Sequence, residues 1–377
     1  MRGGTSKAVF FHRNHLPCDP QIRDQVILAA YGSPDPNRRQ MDGMGGSLST
    51  NSKVAIISPS ADAAYDVVYE FGQVSIDRPL VDYRGNCGNI SAAVGPFAID
   101  EGLVEAVEPV TEIKIHQKNT DKLIIAEVPV KDGRHNPDGE YIIHGVPGSG
   151  SRINLRFFDP AGSVTGKLFP TGNPRDILDI PQQGKVTLTI IDAGNPWVLV
   201  SAAELGLVGT EIEEIDRSRE IRERIEAVRS RAAVLIGLAS NPAEASQRSQ
   251  SVPKIALLAP RRQYETLDGQ TIKSDQIDMV ARVMSMGALH KALAVSCAVA
   301  AAGAAAVDGT IMGAILDSTQ TGQDRFRLGH PGGVFEVRAR IESDGVNHQF
   351  VEASFGRTAR RLMEGHVLVP EQCYDTR

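Results

Sequence analysis

One cysteine lies between two glycine-asparagine pairs and is well placed for acid–base chemistry. Cys87 stands in the sequence Gly-Asn-Cys-Gly-Asn over 85–89, after a predicted strand at 81–83 and before a small-residue helix predicted over 90–102. A thiol at a helix start faces the positive end of the helix dipole, which favours the thiolate and a bound carboxylate. Most free cysteines are small core residues. Packing does not require this symmetrical flanking, whereas close approach of the backbone to a ligand does, so the pattern predicts a proton-transferring thiol beside an anion pocket.

Lys53 is the second candidate for proton transfer. It follows a turn rich in glycine and hydroxyl residues over 43–52 and begins an apolar strand. The order GxxxxGK[ST] is absent and no helix pattern follows the lysine, so a phosphate-binding loop is excluded. Lysine at the edge of a strand is commonly solvated, but among small polar residues near a carboxylate site it can be a base with a lowered pKa. Ser49 and Ser52 beside it are candidate substrate contacts.

Further polar and glycine residues in turns are candidate substrate contacts, because backbone N–H groups and short polar side chains bind carboxylates. They are Thr5, Ser6, Asn86, Gly88, Asn89, Gly287, His290, His330 and Gly332. His290 is expected at the start of a helix over 290–307, where a histidine either binds a carboxylate or serves the structure alone. Arg2 is a candidate carboxylate clamp, unless the first residues are frayed.

Six motifs in order identify a family resemblance. They are Met-Arg-Gly-Gly-Thr-Ser-Lys at 1–7, the glycine-rich turn ending at Lys53, residues 85–89, Phe-Pro-Thr-Gly-Asn at 169–173, Ser-Met-Gly at 285–287 with His290, and Gly-His-Pro-Gly-Gly at 329–333. Together they resemble the PrpF family of 2-methylaconitate and 3-methylitaconate isomerases and 4-oxalomesaconate tautomerases, over residues 1 to about 370. Members usually have a short strand before the first motif, whereas this chain begins on the motif. The strand is either absent or lies upstream of the given start.

The resemblance implies an α/β (α+β) fold of the diaminopimelate-epimerase type. Two pseudo-symmetric domains, each a curved mixed sheet around a central helix, are expected to form an active site in the cleft between them. The expected domains are 1–181 and 182–352, with the tail 353–377 returning to the first. The segments 90–102 and 290–307 are rich enough in small and apolar residues to be helices buried all round, and a glycine-containing turn precedes each, which indicates a weak internal duplication.

In this duplication Met286 takes the place of Cys87. Racemases of this fold use two thiols that face each other across the substrate. A thioether neither gives nor takes a proton, so an amino-acid racemase or epimerase is disfavoured but stays an alternative. Cys297, expected two to three turns into the second helix, is more readily assigned to packing, as are Cys18 and Cys373 to packing or the surface.

The family assigns proton transfer to the positions of Lys53 and Cys87. The implied reaction is a cofactor-independent 1,3-proton shift, which moves a double bond or interconverts its geometry in a small unsaturated di- or tricarboxylate such as 2-methylaconitate or 3-methylitaconate. Segments 99–103 and 162–167 favour those substrates over the tautomerase substrate. Aconitate isomerase, 4-oxalomesaconate tautomerase and a non-catalytic accessory partner of a dehydratase remain alternatives, and the intact lysine and cysteine argue against the last.

Length and composition bear on the number of domains, the kinds of partner and the compartment of the protein. A length of 377 residues predicts two domains, and a net charge of −6 with basic residues clustered only at 357–361 argues against nucleic acid as a partner. The apolar run 293–307 is shorter than the roughly 20 residues of a membrane span, so no membrane association is expected. Four cysteines without CxxC spacing and the lack of a leader before Met1 predict a cytoplasmic protein. No metal and no cofactor are expected, and assembly into a homo-oligomer is open.

Overall fold

The computed structural model describes residues 1–316, 323–343 and 348–374. The chain forms two compact units, the first comprising Met1–Leu155 with Gly356–Arg377 and the second Arg156–Phe355. The boundary expected after residue 181 falls within the second unit, while the tail from residue 356 belongs to the first. We refer to them as unit 1 and unit 2.

The described part of the chain is rich in strands. They are β1 (Arg2–Gly3), β2 (Ser6–His12), β3 (Lys53–Pro59), β4 (Val67–Val74), β5 (Val81–Asp82), β6 (Val110–Gln117), β7 (Lys122–Lys131), β8 (Arg134–His135), β9 (Ile153–Phe158), β10 (Asp176–Ile180), β11 (Gly184–Asp192), β12 (Pro196–Ser201), β13 (Lys254–Pro260), β14 (Tyr264–Glu265), β15 (Thr271–Ile272), β16 (Met279–Ser285), β17 (Ala288–Leu289), β18 (Arg325–His330), β19 (Gly333–Ser343), β20 (His348–Arg357) and β21 (Ala359–Arg360). The α-helices are α1 (Pro20–Tyr31), α2 (Gly88–Ser91), α3 (Val94–Asp100), α4 (Glu213–Arg217), α5 (Arg219–Leu235), α6 (Pro242–Arg248) and α7 (Val295–Ala305). Short 3₁₀ helices occupy Arg13–His15, Ala202–Leu205, Ser274–Gln276, Ile311–Ala314 and Glu371–Tyr374.

Unit 1 is a mixed sheet packed on a buried helical segment. β2 runs parallel to β3, β3 antiparallel to β4, β4 parallel to β6, and β6 antiparallel to β7. The β4–β5 hairpin leads into α2 and α3, which are buried from residue 88 to residue 99. Small residues are needed there because the strands lie close: a Cβ on Gly95 would stand 2.7 Å from a methyl of Val128.

Unit 2 repeats this order of strands. β12 runs parallel to β13, β13 antiparallel to β16, β16 parallel to β18, and β18 antiparallel to β19. The β16–β17 hairpin precedes α7, which is buried from residue 295 to residue 304. The internal duplication predicted from two apolar helices is thus visible as the same succession of parallel and antiparallel pairs.

The two buried helical segments differ from their predicted bounds. The segment predicted over 90–102 is broken near Ala92 and Ala93 into the single turn α2 and the longer α3. The helix predicted over 290–307 begins only at Val295, because residues 290–294 form an irregular segment after the β16–β17 hairpin, in which His290 Nδ1 contacts the backbone of Ala292. None of the helices in the described ranges has the length and apolar character to cross a membrane.

Candidate active site

Lys53 is buried at the start of β3, directly opposite Gln73 of β4. Its ammonium group donates a hydrogen bond to Gln73 Oε1 at 2.5 Å and lies 5.3 Å from the centre of the Phe71 ring. The Gln73 amide nitrogen donates to the backbone oxygens of Ser52 (2.8 Å) and Ser49 (3.1 Å). These two bonds fix the orientation of the amide, so its oxygen faces Lys53.

Burial lowers the pKa of Lys53, because a charged ammonium loses its hydration in the protein interior. Negative charge at Cys87 acts in the opposite direction and raises that pKa. Cys87 is therefore close enough to Lys53 to influence the ionisation of the amine. A lysine whose pKa is lowered exists to a larger extent as the neutral amine, which is the form that accepts a proton.

Cys87 is the N-cap residue of α2, with extended backbone dihedrals (φ −124°, ψ 96°) and a half-buried side chain. Its carbonyl accepts hydrogen bonds from the Ser91 backbone N–H (3.0 Å) and the Ser91 hydroxyl (3.2 Å). α2 is one turn long, so the long helix dipole expected behind Cys87 is replaced by the backbone N–H groups of that turn, beginning with Gly88.

Asn89 connects the N-terminal turn to a buried arginine. Its side-chain oxygen accepts from the backbone N–H of Thr5 (3.3 Å) and from Nε of Arg357 (3.2 Å). Burial lowers the pKa of Arg357 to about 9, so the group stays cationic at neutral pH. The Thr5 and Ser6 hydroxyl oxygens are buried and have no hydrogen-bond partner. Sequence reasoning missed Arg357, whose signal was the basic cluster at 357–361.

The remaining polar candidates of unit 1 contact other groups of the protein. Ser52 Oγ accepts from the Gln40 side-chain nitrogen at 2.7 Å, and Asn86 Oδ1 lies 3.5 Å from the Ser91 hydroxyl. Arg2 does not act as the expected clamp in this structure: it lies in β1, and its guanidinium donates to the Gly4 and Thr358 carbonyls at 2.9 Å each. Nor is it frayed, since β1 pairs with β2 and β21.

Unit 2 holds the other four candidates, in three places. His330 Nδ1 accepts the Gly332 N–H at 3.1 Å, and the His330 carbonyl accepts the Tyr264 hydroxyl at 2.9 Å. These bonds define the turn after β18. His290 follows β17 rather than starting a helix, and its Nδ1 lies within 3.1 Å of the backbone of Ala292.

Gly287 and Met286 form the two-residue turn of the β16–β17 hairpin, both with positive φ (79° and 54°). They line a cavity of about 600 Å³ that residues of α5 and α6 also border. The expected match of Met286 with Cys87 is therefore wrong, because Met286 lies within the hairpin, whereas Cys87 follows the corresponding hairpin and caps a helix. The cap residue of α7 is Ala294.

Cys297 lies at a different place in its helix from the one predicted. Cys297 is the third residue of α7, in its first turn instead of two to three turns along, and is fully buried. Burial raises its pKa strongly, which keeps the thiol neutral. Within the described ranges no group of three or more His, Cys, Asp or Glu side chains is arranged to hold a metal ion.

Comparison with known proteins assigns the chain to a family. A model of the PrpF protein family matches residues 1–370. The chain belongs to the PrpF family. The resemblance predicted from the six motifs is thereby confirmed.

The chain is 43% identical to 3-methylitaconate isomerase of Eubacterium barkeri, with 98% of this chain and 96% of that protein covered. It is 40% identical to 2-methyl-aconitate isomerase of Shewanella oneidensis (98% and 96% covered) and 38% identical to 4-oxalomesaconate tautomerase of Pseudomonas putida (98% and 94% covered). These relatives confirm the predicted enzyme class, an isomerase.

Solved structures confirm the fold class. A crystal structure of methylitaconate-delta-isomerase matches with a TM-score of 0.80 and 43% identity, covering 100% of this chain and 96% of that one. A hydroxyproline epimerase from Agrobacterium vitis matches with a TM-score of 0.50 and 14% identity, covering 92% and 82%. The fold is of the diaminopimelate-epimerase type, as expected.

Proposed function

We propose that this protein catalyses a 1,3-proton shift on a small unsaturated di- or tricarboxylate of the methylitaconate or methylaconitate type. The observation that carries the proposal is the buried Lys53, held by Gln73 and electrostatically linked to Cys87. The 3-methylitaconate and 2-methyl-aconitate isomerases among the relatives support this substrate class.

In the first step the neutral Lys53 amine takes an allylic proton. The C–H bond breaks, an N–H bond forms, and the electron pair spreads over the double bond and the adjacent carboxylate as a dienolate. The hydrogen is acidic because that delocalisation is available. Gln73 contributes by fixing the amine, since a general base must lie within hydrogen-bond reach of the proton that it removes.

In the second step a proton returns to the other end of the delocalised system. The Cys87 thiol or the Lys53 ammonium supplies it: an S–H or N–H bond breaks and a C–H bond forms at the new carbon. When the thiol is the donor, Lys53 is left as an ammonium and Cys87 as a thiolate, and transfer of a proton from Nζ to Sγ, directly or through solvent, restores both groups. No hydride moves, so the chemistry needs no nicotinamide. A thiol at the cap of a one-turn helix beside a buried amine is suited to this donation.

Charge builds on a carboxylate that is already anionic, so stabilising the dienolate is the largest demand on the site. The Gly88 N–H at the start of α2 and the unpartnered Thr5 and Ser6 hydroxyls are suitable donors. Arg357 adds a buried positive charge that acts through Asn89. We therefore infer that Gly88, Thr5 and Ser6 bind the substrate carboxylates, and that Arg357 supports this binding through Asn89.

Proton NMR in D₂O tests the proposal. The purified protein is incubated with methylitaconate, cis- and trans-2-methylaconitate, cis- and trans-aconitate, and 4-oxalomesaconate. The expected result is a new isomer of one compound that carries deuterium at the allylic carbon. If the folded protein converts none of these compounds, the proposal is refuted and the accessory-partner alternative is favoured. Conversion of 4-oxalomesaconate alone would assign the activity named for the Pseudomonas relative.

A further inference from the structure

The hydroxyl of Tyr69 is a buried donor without a hydrogen-bond partner, and it lies beside the helix turn that Cys87 caps. Tyr69 is fully buried and its phenol oxygen is inaccessible to solvent. Burying an unsatisfied hydroxyl costs free energy, because the group gives up its hydrogen bonds to water. Such a group in a native fold requires an explanation.

Strand β4 places the Tyr69 side chain on the same face as the residues that contact Lys53. Side chains of a strand alternate between its faces, so Tyr69, Phe71 and Gln73 of β4 share one face. Gln73 holds the Lys53 ammonium and Phe71 lies beneath it. Tyr69 continues the same row by two residues, opposite Ile57 of β3.

Ser91 connects Tyr69 with Cys87. The Ser91 hydroxyl donates to the Cys87 carbonyl at 3.2 Å, and it is near enough to Tyr69 to lower the pKa of the phenol, although not in hydrogen-bonding geometry. Burial and negative charge at Cys87 have the larger, opposite effect, and they raise the pKa of Tyr69 well above its usual value. The phenol therefore stays protonated and able to donate.

Negative charge at Cys87 acts electrostatically on Lys53 of β3 and on Tyr69 of β4. Lys53 is already bonded to Gln73, whereas the Tyr69 hydroxyl is uncommitted. A charge-assisted bond from a phenol to a thiolate is stronger than a neutral one. Formation of the thiolate would give the buried hydroxyl the partner that it lacks.

We propose that Tyr69 is a positioning residue that donates a hydrogen bond to negative charge on Cys87 and so stabilises the thiolate. Its catalytic meaning rests on the proposed function, in which Cys87 exchanges a proton with the substrate. The effect on the thiol itself does not depend on the substrate. The two ideas can therefore fail separately.

The test is the pH dependence of Cys87 alkylation by iodoacetamide, followed by mass spectrometry, in the wild type and in Tyr69→Phe. Loss of the hydroxyl is expected to slow alkylation of Cys87 at neutral pH by up to about 10-fold and to displace the profile towards higher pH, with a Tm equal to or above that of the wild type, since an unsatisfied group is removed. Tyr83→Phe is the matched control, because its phenol donates to Asp24 at 2.6 Å. That variant is expected to have a lower Tm and an unchanged pH profile of Cys87 alkylation.

An unchanged alkylation profile in Tyr69→Phe overturns the proposal, and so does a Tm loss as large as that of Tyr83→Phe, which would show a structural hydroxyl. If the profile shifts as expected while no acid of the NMR panel is converted, the role of Tyr69 stands and the proposed function fails. If the panel is converted and the profile does not shift, the proposed function stands and this inference fails.

Discussion

Lys53 and Lys254 occupy the same position in the two units. Each begins a seven-residue strand that ends at a proline, β3 in unit 1 and β13 in unit 2. Each strand runs parallel to the strand before it and antiparallel to the next long strand. The surroundings differ: Lys53 is bonded to Gln73, whereas the Lys254 ammonium lies 5.8 Å from the centre of the Trp197 ring.

The cysteine near each lysine differs in its place on the following helix: Cys87 caps α2, whereas Cys297, which lies near enough to Lys254 to feel its charge, is buried in the first turn of α7. α2 is capped by Cys87 and α7 by Ala294, whose methyl group carries no exchangeable proton. A mechanism with two cap thiols is thus disfavoured, for a reason other than the methionine suggested by the sequence. The duplicated scaffold retains the lysine in both units and the cap thiol in unit 1.

Lys53→Met is expected to lower turnover by at least about 100-fold, because general-base catalysis contributes about 10²–10⁴. Lys254→Met is the matched substitution and is expected to retain most of the activity. Steady-state rates on the substrate found by NMR check both. Equal losses in the two variants would show that Lys53 has no special role.

The pH–rate profile should report the lowered pKa of Lys53. Below this pKa the amine is protonated and cannot accept a proton, so kcat/KM is expected to rise with pH and to level off below the usual lysine value of about 10.4. Negative charge at Cys87 raises the Lys53 pKa, so Cys87→Ser should move the midpoint of the residual activity to lower pH. A midpoint that moves upward in this variant would contradict the coupling.

Thr5→Val and Ser6→Ala should weaken substrate binding without weakening the fold. Both hydroxyls are buried without a partner, so their removal leaves Tm unchanged or higher, while KM rises by about 3–10-fold for one lost hydrogen bond. Thr111→Val is the control: the Thr111 hydroxyl is bonded to the Val107 N–H (2.8 Å) and carbonyl (2.9 Å). It should lose about 1 kcal/mol of stability and keep its KM. A Tm loss in Thr5→Val with an unchanged KM would assign that hydroxyl to the fold.

The sequence was sufficient for features that depend on local composition. Alanine- and glycine-rich segments predict helices buried all round, and the family motifs predict the fold. The register of unit 2 could not be predicted, because Met286 and Gly287 resemble the turn before α2 although they form a hairpin turn with two positive φ values. Arg357 and Tyr69 were missed because their roles depend on pairings distant in sequence, Arg357 with Asn89 and Tyr69 with the α2 turn.

Cys87 and Cys297 should differ sharply in reactivity, and this contrast tests whether the unit 1 thiol is the functional one. Cys87 is half-buried at a helix cap beside Lys53, whereas Cys297 is fully buried in α7 and its raised pKa keeps the thiol protonated. Because the thiolate is the nucleophile, iodoacetamide at neutral pH is expected to modify Cys87 in the folded protein and Cys297 only after denaturation. Mass spectrometry of the native and denatured protein measures both sites, and Cys297→Ser should retain turnover while Cys87→Ser loses most of it. Native modification of Cys297 at the rate of Cys87, or loss of turnover in Cys297→Ser with an unchanged Tm, would assign a chemical role to the second unit's cysteine.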